Sequence, residues 1–268
     1  MTVKDKILQG RTYLGIELGS TRIKAVLIDD SFSVIASGSK QWENRFENGC
    51  WTYSLDDIHG GIQACYKDLA ENVKAQYGIY PETYGAMGIS AMMHGYMAFD
   101  KNDKLLVPFR TWRNTMTAQA AGELTKLLGF NIPQRWSIAH LYQAVLNKEA
   151  HVPYIAYINT LAGYVHKRLT DRFEVGVGEA SGIFPVEGIG YKKEYCEPTE
   201  KSLAEKGFDH KLKDILPAVR NAGEKGAVLI EEGAKFLDPE GRLKAGVPVC
   251  PPEGDAGTGQ DGYCNSNC

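Results

Sequence analysis

The sequence predicts an α/β fold, a mixed sheet with flanking helices, and three observations predict it. Two apolar runs at 13–18 and 23–29 flank a short Gly-Ser-Thr turn, the sequence form of an antiparallel hairpin. From Leu55 onward, apolar residues then recur every three or four positions, which is the helical period. A compact apolar run at 84–91 follows, and more helical stripes come after it, so strands and helices share one chain. At 268 residues the chain is about 1.8 times a domain of roughly 150 residues, enough for a complete core plus an appendage.

The elements can be justified in order. Asp29-Asp30-Ser31 supplies a second turn and 33–39 a third strand, so the chain opens as a meander rather than a strand-turn-helix unit. Ser54, with Asp57 three residues on, has capping-box spacing. Leu55, Ile58, Ile62, Cys65, Leu69 and Val73 form one apolar face of the helix that follows. Residues 84–91 read as a buried strand. Residues 96–99 and 105–107 read as hairpin arms around the turn residues Asp100-Lys101-Asn102-Asp103. Helices are expected at 115–128, closed by Gly129, and at 138–147, with Ser137 as N-cap. Leu161, Tyr164, Val165 and Leu169 mark another helix, while 185–198 reads as irregular.

Composition narrows the function classes. With 30 Lys+Arg against 33 Asp+Glu the net charge is -3, and 43% of residues are hydrophobic. Those values argue against a disordered chain and against a nucleic-acid binder that works through bulk charge. No run approaches the roughly 18 apolar residues of a membrane helix, and no hydrophobic signal core follows the first six residues. A cytoplasmic protein with no nucleic-acid or membrane partner is expected. The six cysteines are expected as free thiols, since a chain of this size needs no stapling. Cys264 and Cys268, in the polar tail 260–268, lack zinc-site spacing.

Three segments carry chemistry. In the first hairpin, Gly19 lets backbone N–H groups approach an anion, Ser20 and Thr21 add hydroxyls, and Lys24 adds a positive charge. Glu17, just before the turn, offers a carboxylate of the kind Mg²⁺ takes beside phosphates. The turn is equally readable as an ordinary polar hairpin, and it is not a P-loop, because the G-x-x-x-x-G-K-[ST] pattern is absent. In the second segment, Gly88-Ile89-Ser90-Ala91-Met92-Met93-His94-Gly95, a strand ends in a Met-His-Gly turn. There His94 is either a hydroxyl partner or a satisfied structural group. In the third, Pro251-Pro252-Glu253-Gly254-Asp255-Ala256-Gly257, Asp255 stands between small residues. It is readable as an accessible general base or as part of a common Gly-Asp turn.

Taken in order, these segments resemble the FGGY family of carbohydrate kinases. Residues 15–24 look like its first phosphate motif, and 88–95 like the Met-His-Gly sugar segment of the xylulokinase-like branch. Trp112-Arg113-Asn114, Gly178-Glu179-Ala180-Ser181-Gly182 and Gly254-Asp255-Ala256 are similar to three further family elements. The resemblance runs from about Tyr13 to about Gly259. It implies a ribonuclease-H-like domain of the actin, Hsp70 and hexokinase class, and ATP-dependent phosphorylation of an open-chain ketose, a pentulose such as xylulose. It further implies Asp255 as catalytic base; Met93, His94, Gly95, Trp112 and Asn114 around the sugar; Gly19, Ser20, Thr21 and Lys24 toward the phosphates of ATP; and Glu17 toward Mg²⁺. A homodimer is compatible with it.

The chain departs from the family pattern at Glu17, where Asp is usual, and at Arg22, where a small residue is usual. On the resemblance, residues 1–245 are expected as an N-terminal sugar-binding domain. Residues 246–268 are expected as the truncated stub of a nucleotide-binding domain. A non-catalytic sugar-binding or regulatory remnant is the alternative reading.

Overall fold

The computed structural model describes residues 1–224 and 226–256. After helix α1 (Val3–Leu8), strands β1 (Thr12–Leu18), β2 (Arg22–Asp29) and β3 (Val34–Gln41) form the expected antiparallel meander. A small hairpin, β4 (Arg45–Glu47) and β5 (Cys50–Thr52), leads into the long helix α2 (Leu55–Tyr77). The Ser54 side chain accepts from the Asp57 N–H and Asp57 accepts from the Ser54 N–H, which is the capping box that the sequence spells. At the other end Gly78, at φ 75°, closes the helix in the left-handed region. Ile58, Ile62, Cys65, Leu69 and Val73 are all buried against the sheet. Gly38 of β3 makes that contact close, since a Cβ there would overlap the backbone of α2 at Cys65 and Leu69.

Strand β6 (Ala86–Ala91) pairs parallel with β1, so α2 is the crossover between β3 and β6. Next, the expected hairpin around Asp100–Asp103 forms only in reduced form, with antiparallel bridges from Phe99 to Leu105 and from Tyr96 to Arg110 and a Leu106 N–H donated to Ala98 O. Its first arm, β7 (Met97–Phe99), pairs along its whole length with β8 (Tyr157–Asn159). Phe99 stacks on Tyr157 with ring centroids 5.0 Å apart, a long-range contact that outweighs the local turn. Between these strands lie α3 (Ala118–Leu128), ended by Gly129 at φ 60°, and α4 (Ser137–Leu146). Helix α3 starts three residues later than its expected start at 115. In α4 the N-cap is Trp136 rather than Ser137, because the Ser137 hydroxyl donates instead to Gly95 O at 2.6 Å.

Helix α5 (Leu161–Thr170) carries the expected stripe. It is followed by β9 (Glu174–Gly176) and the short helix α6 (Val177–Ala180). The stretch expected as irregular is ordered: β10 (Val186–Glu187) and β11 (Gly190–Tyr191) form a hairpin, and α7 (Lys193–Glu205) continues through Pro198. Buried Leu203, with Tyr195 and Cys196 packed beside it, anchors α7 to the second hydrophobic cluster, which outweighs the local cost of proline. The remaining described elements are α8 (Leu212–Ile215), β12 (Ala218–Arg220), β13 (Ala227–Val228), α9 (Glu231–Leu237), β14 (Pro248–Val249) and β15 (Glu253–Gly254).

The main sheet runs β13-β14-β6-β1-β2-β3, with β15 also on β6. β14 and β15 are parallel to β6 and lie past the expected boundary at 245, so that boundary does not separate them from the first sheet. Two hydrophobic clusters fill the interior, one between the sheet and helices α2, α5 and α9, the other among α3, α4, α7 and β8. Among the described residues no helix is long and apolar enough to cross a membrane. Cys50, Cys65, Cys196 and Cys250 are free thiols. Cys264, Cys268 and the rest of 257–268 lie outside the described residues.

Candidate active site

The sheet brings the three chemistry-bearing segments to one edge. Leu18 of β1 pairs with Ala91 of β6, and Ala91 pairs with Gly254 of β15, so the loops leaving these strands start abreast. Two strand spacings of roughly 4.8 Å place the β1 turn about 10 Å from Asp255, and ligands of open α/β sheets gather at such carboxyl ends. The separation suits a phosphate-bearing ligand on one side and a small substrate on the other.

On the β6 side, the Met93 N–H donates to Asp255 Oδ1 at 3.3 Å, joining residues 162 positions apart. The same oxygen accepts from the Ala256 N–H at 2.9 Å, which leaves the exposed carboxylate aimed and accessible. His94 and Gly95 both lie in the left-handed region, at φ 67° and 94°. For His94 this conformation costs about 1 kcal/mol, a strain of the kind that gathers at functional sites. Gly95 is obligatory: a Cβ there would lie 2.7 Å from Arg110 O. Its N–H donates to Arg135 O at 3.2 Å and its carbonyl accepts from Ser137, so both ends of the turn are held. The His94 ring packs on Gly182, where a Cβ would come within 2.5 Å of Nδ1. Burial first, and then the Arg135 charge, push His94 down to about 4, while the Gly182 backbone and Asp255 pull the other way. The ring is therefore neutral at pH 7, so one nitrogen is able to donate and the other to accept.

On the β1 side, the turn backbone is tied from several directions. Trp42 Nε1 donates to Gly19 O at 2.7 Å, the Tyr53 hydroxyl to Ser20 O at 2.5 Å, and the Trp42 N–H to Thr21 O at 3.2 Å. Trp42 and Tyr53 stack with centroids 4.2 Å apart. The Gly19 N–H donates to Arg22 O at 3.1 Å and so closes the hairpin instead of pointing at an anion. Glu17 and Lys24 are cross-strand partners with Oε1 and Nζ 3.7 Å apart, and both side chains are about half exposed, at 45% and 53%. A Cβ on Gly19 would sit 3.2 Å from Glu17 Oε1, so the glycine leaves the carboxylate free to lie over the turn. An accessible carboxylate beside a lysine and two hydroxyl side chains suits a hard divalent cation carrying phosphates. A cavity of about 480 Å³ adjoins Glu17 and Lys24 on the sheet face, lined also by Gly15, Gly88, Ser90 and Cys250; His94 and Asp255 lie outside it.

Of the remaining expected residues, Trp112 is 43% exposed and its Nε1 donates to Ser20 Oγ at 3.3 Å, so it touches the turn as well as the cleft edge. Asn114 is 2% exposed. Its Oδ1 accepts from the Trp51 N–H at 2.9 Å, and its Nδ2 donates to Trp51 O at 2.8 Å and to Thr111 O at 3.0 Å. Its amide is thus spent on the wall of the site. Sequence reasoning missed Trp42 and Tyr53, which pin the turn, and Gly182, which seats His94. It also missed the buried Glu253 of β15 and the buried Glu179 beside that strand. The signal for Gly182 and Glu179 was their place in the quoted 178–182 segment. Trp42 and Tyr53 left none, because their role arises only from folding.

Comparison with known proteins gives the family and the fold. Residues 12–260 match the model for the FGGY family of carbohydrate kinases, N-terminal domain. A xylulose kinase of Haemophilus influenzae is 25% identical over 239 residues, which is 84% of this chain and 47% of that protein. A xylulose kinase of Lactococcus lactis is 23% identical over 124 residues, 43% of this chain and 23% of that one. The crystal structure of a xyloylose kinase from Brucella ovis superposes with a TM-score of 0.73 at 21% identity, covering 91% of this chain and 49% of the other. The chain thus spans half or less of the length of these relatives. Such kinases have the actin, Hsp70 and hexokinase-like fold, and the order β3-β2-β1-β6-β14/β15 with its parallel and antiparallel senses is the mixed α/β sheet expected of that class. With the family model matched over most of its length and the fold in agreement, the chain belongs to the FGGY family of carbohydrate kinases, as an N-terminal domain.

Proposed function

We propose that this chain supplies the sugar site and the catalytic base for ATP-dependent phosphorylation of a ketose, a pentulose such as xylulose. The observation that carries the reading is the hydrogen bond from the Met93 N–H to Asp255 Oδ1, which puts an accessible carboxylate beside the Met-His-Gly turn at the sheet edge. Asp255 takes the proton of the sugar hydroxyl. Neutral His94 donates to or accepts from another hydroxyl, and Met93, Gly95 and Trp112 wall the sugar, with Asn114 shaping that wall through Trp51. Glu17 would hold Mg²⁺, with Ser20, Thr21 and Lys24 beside Gly19 facing the phosphates of ATP. The nucleotide would supply the phosphoryl group, leaving as ADP, and the ion would neutralise charge on it. The names of the two curated relatives support xylulose as the first sugar to try. The cytoplasm as its compartment is part of the same proposal.

Turnover of D-xylulose with ATP and Mg²⁺ tests this, with Asp255→Asn as the diagnostic variant. The expected loss is about 10²- to 10⁴-fold in kcat, as for removal of a general base. Undiminished turnover in that variant removes Asp255 as the base. Sugar binding by the wild-type chain with no ATP turnover favours the non-catalytic sugar-binding reading.

A further inference from the structure

The proposed chemistry leaves one buried acid unused. Glu179, in α6, is fully buried, and neither carboxyl oxygen has a hydrogen-bond partner among the described residues. Its carboxyl lies against the backbone of Gly254: a Cβ on that glycine would be 2.6 Å from Glu179 Oε2 and 2.8 Å from Met93 Sδ. The residue immediately before Asp255 is therefore gripped between the Glu179 carboxyl and the Met93 thioether. The Glu179 N–H donates to Glu253 Oε2 at 3.0 Å, which fixes the residue before that one. Met93 closes the loop by donating its N–H to Asp255. Met93, Glu179 and the consecutive Glu253, Gly254 and Asp255 thus form one packed unit from three segments, whose exposed end is the base.

Building on the reading of Asp255 as the base, we propose that Glu179 is its positioning residue: the buried carboxyl, pressed on Gly254, sets where the Asp255 carboxylate stands. The neutrality of Glu179 follows from its surroundings. Burial raises Glu179 to about 8, the Glu253 and Asp255 carboxylates add to the effect, and the Thr160 hydroxyl works against it. Tyr191 of β11 also faces it, is half-buried and is held well above the ordinary phenol range, so it brings no charge. The charged groups of the other strands packed on α6, Glu174 of β9 and Arg220 of β12, pair with each other at 3.0 Å, with His166 3.5 Å from Glu174. No cation among these neighbours is left to meet an ionised Glu179. Charging it would set a third carboxylate beside two others at a buried position, and the exposed end of that unit is Asp255.

The test is an NMR titration of the whole chain from pH 6 to 9.5, following ¹³C-labelled glutamate carboxyls and the Met93 amide. The Glu179 carboxyl and the Met93 amide are expected to shift with one shared midpoint near pH 8, and the Met93 shift is expected to vanish in Glu179→Gln. A Met93 amide that stays flat while Glu179 ionises overturns the proposal. So does a Met93 titration that persists in Glu179→Gln, or a Glu179 carboxyl ionised throughout the range. The shared midpoint in the wild type decides the matter even where the variant fails to fold. Turnover of Asp255→Asn bears separately on the base: undiminished turnover there removes the catalytic reading and leaves the Glu179–Gly254–Met93 coupling standing.

Discussion

The two sides of the candidate site are built on opposite physical plans. Glu179 and Gly254 are buried with His94 half-buried on the same side, two glycines are filled to contact, and burial is the largest cause of both protonation shifts. Around Glu17 and Lys24 the groups are half exposed, and their pairing at 3.7 Å is screened by water and salt. The buried side therefore fixes geometry and proton state before any ligand arrives, as sugar recognition through a few hydroxyls requires. The exposed side offers mobile charge, which suits a phosphate and cation that bring their own strong fields.

The largest effect belongs to the buried side. Gly254→Ala places a methyl group on Met93 and Glu179, and the strain is expected to cost about 3 kcal/mol in urea unfolding and to abolish sugar binding. An unchanged midpoint would show that β15 is not gripped as described.

Next comes pH dependence. Glu179 has its pKa raised from 4.5 to about 8, so between those values the unfolded chain is ionised while the folded chain keeps its proton. Stability from this group is full below pH 4.5, falls as pH rises through that window and levels off above about 8. The slope contributed is at most roughly 1.4 kcal/mol per pH unit, and it is expected to disappear in Glu179→Gln. Parallel stability curves for the two proteins would contradict it.

The smallest effect belongs to the exposed side. Lys24→Met is expected to change stability by less than about 0.5 kcal/mol, with its coupling to Glu17 fading as salt is raised. A double-mutant cycle with Glu17→Gln measures this. A salt-independent coupling above about 1 kcal/mol would erase the contrast between the two sides.

How much of this was legible in the sequence follows the range of the interactions. The meander and α2 were readable because alternation, period and the Ser54–Asp57 box are local signals. The pairing of β7 with β8 and the seating of β14 and β15 on β6 were not readable, since strands of two or three residues are defined by partners far away in sequence. Ser137 was misread as a cap because its hydroxyl serves Gly95, a contact between segments 42 positions apart. In the candidate site, Met93, His94 and Asp255 were singled out by motif, and folding joins the Met93 N–H to Asp255. Asn114 was singled out as well, but its amide is spent on Trp51. Glu179 stood in a quoted segment without a role, because a carboxyl's charge is set by burial, which sequence does not display.

The central claim is that the buried side, and not the exposed one, carries sugar recognition, and calorimetric titration of the chain with D-xylulose tests it most directly. Binding by the wild type is expected to weaken by about tenfold or more, or about 1.4 kcal/mol, in Gly182→Ala, which displaces the His94 ring. In Glu17→Gln it is expected to stay within about twofold. Equal affinity in the wild type and Gly182→Ala, or a loss confined to Glu17→Gln, would contradict the account.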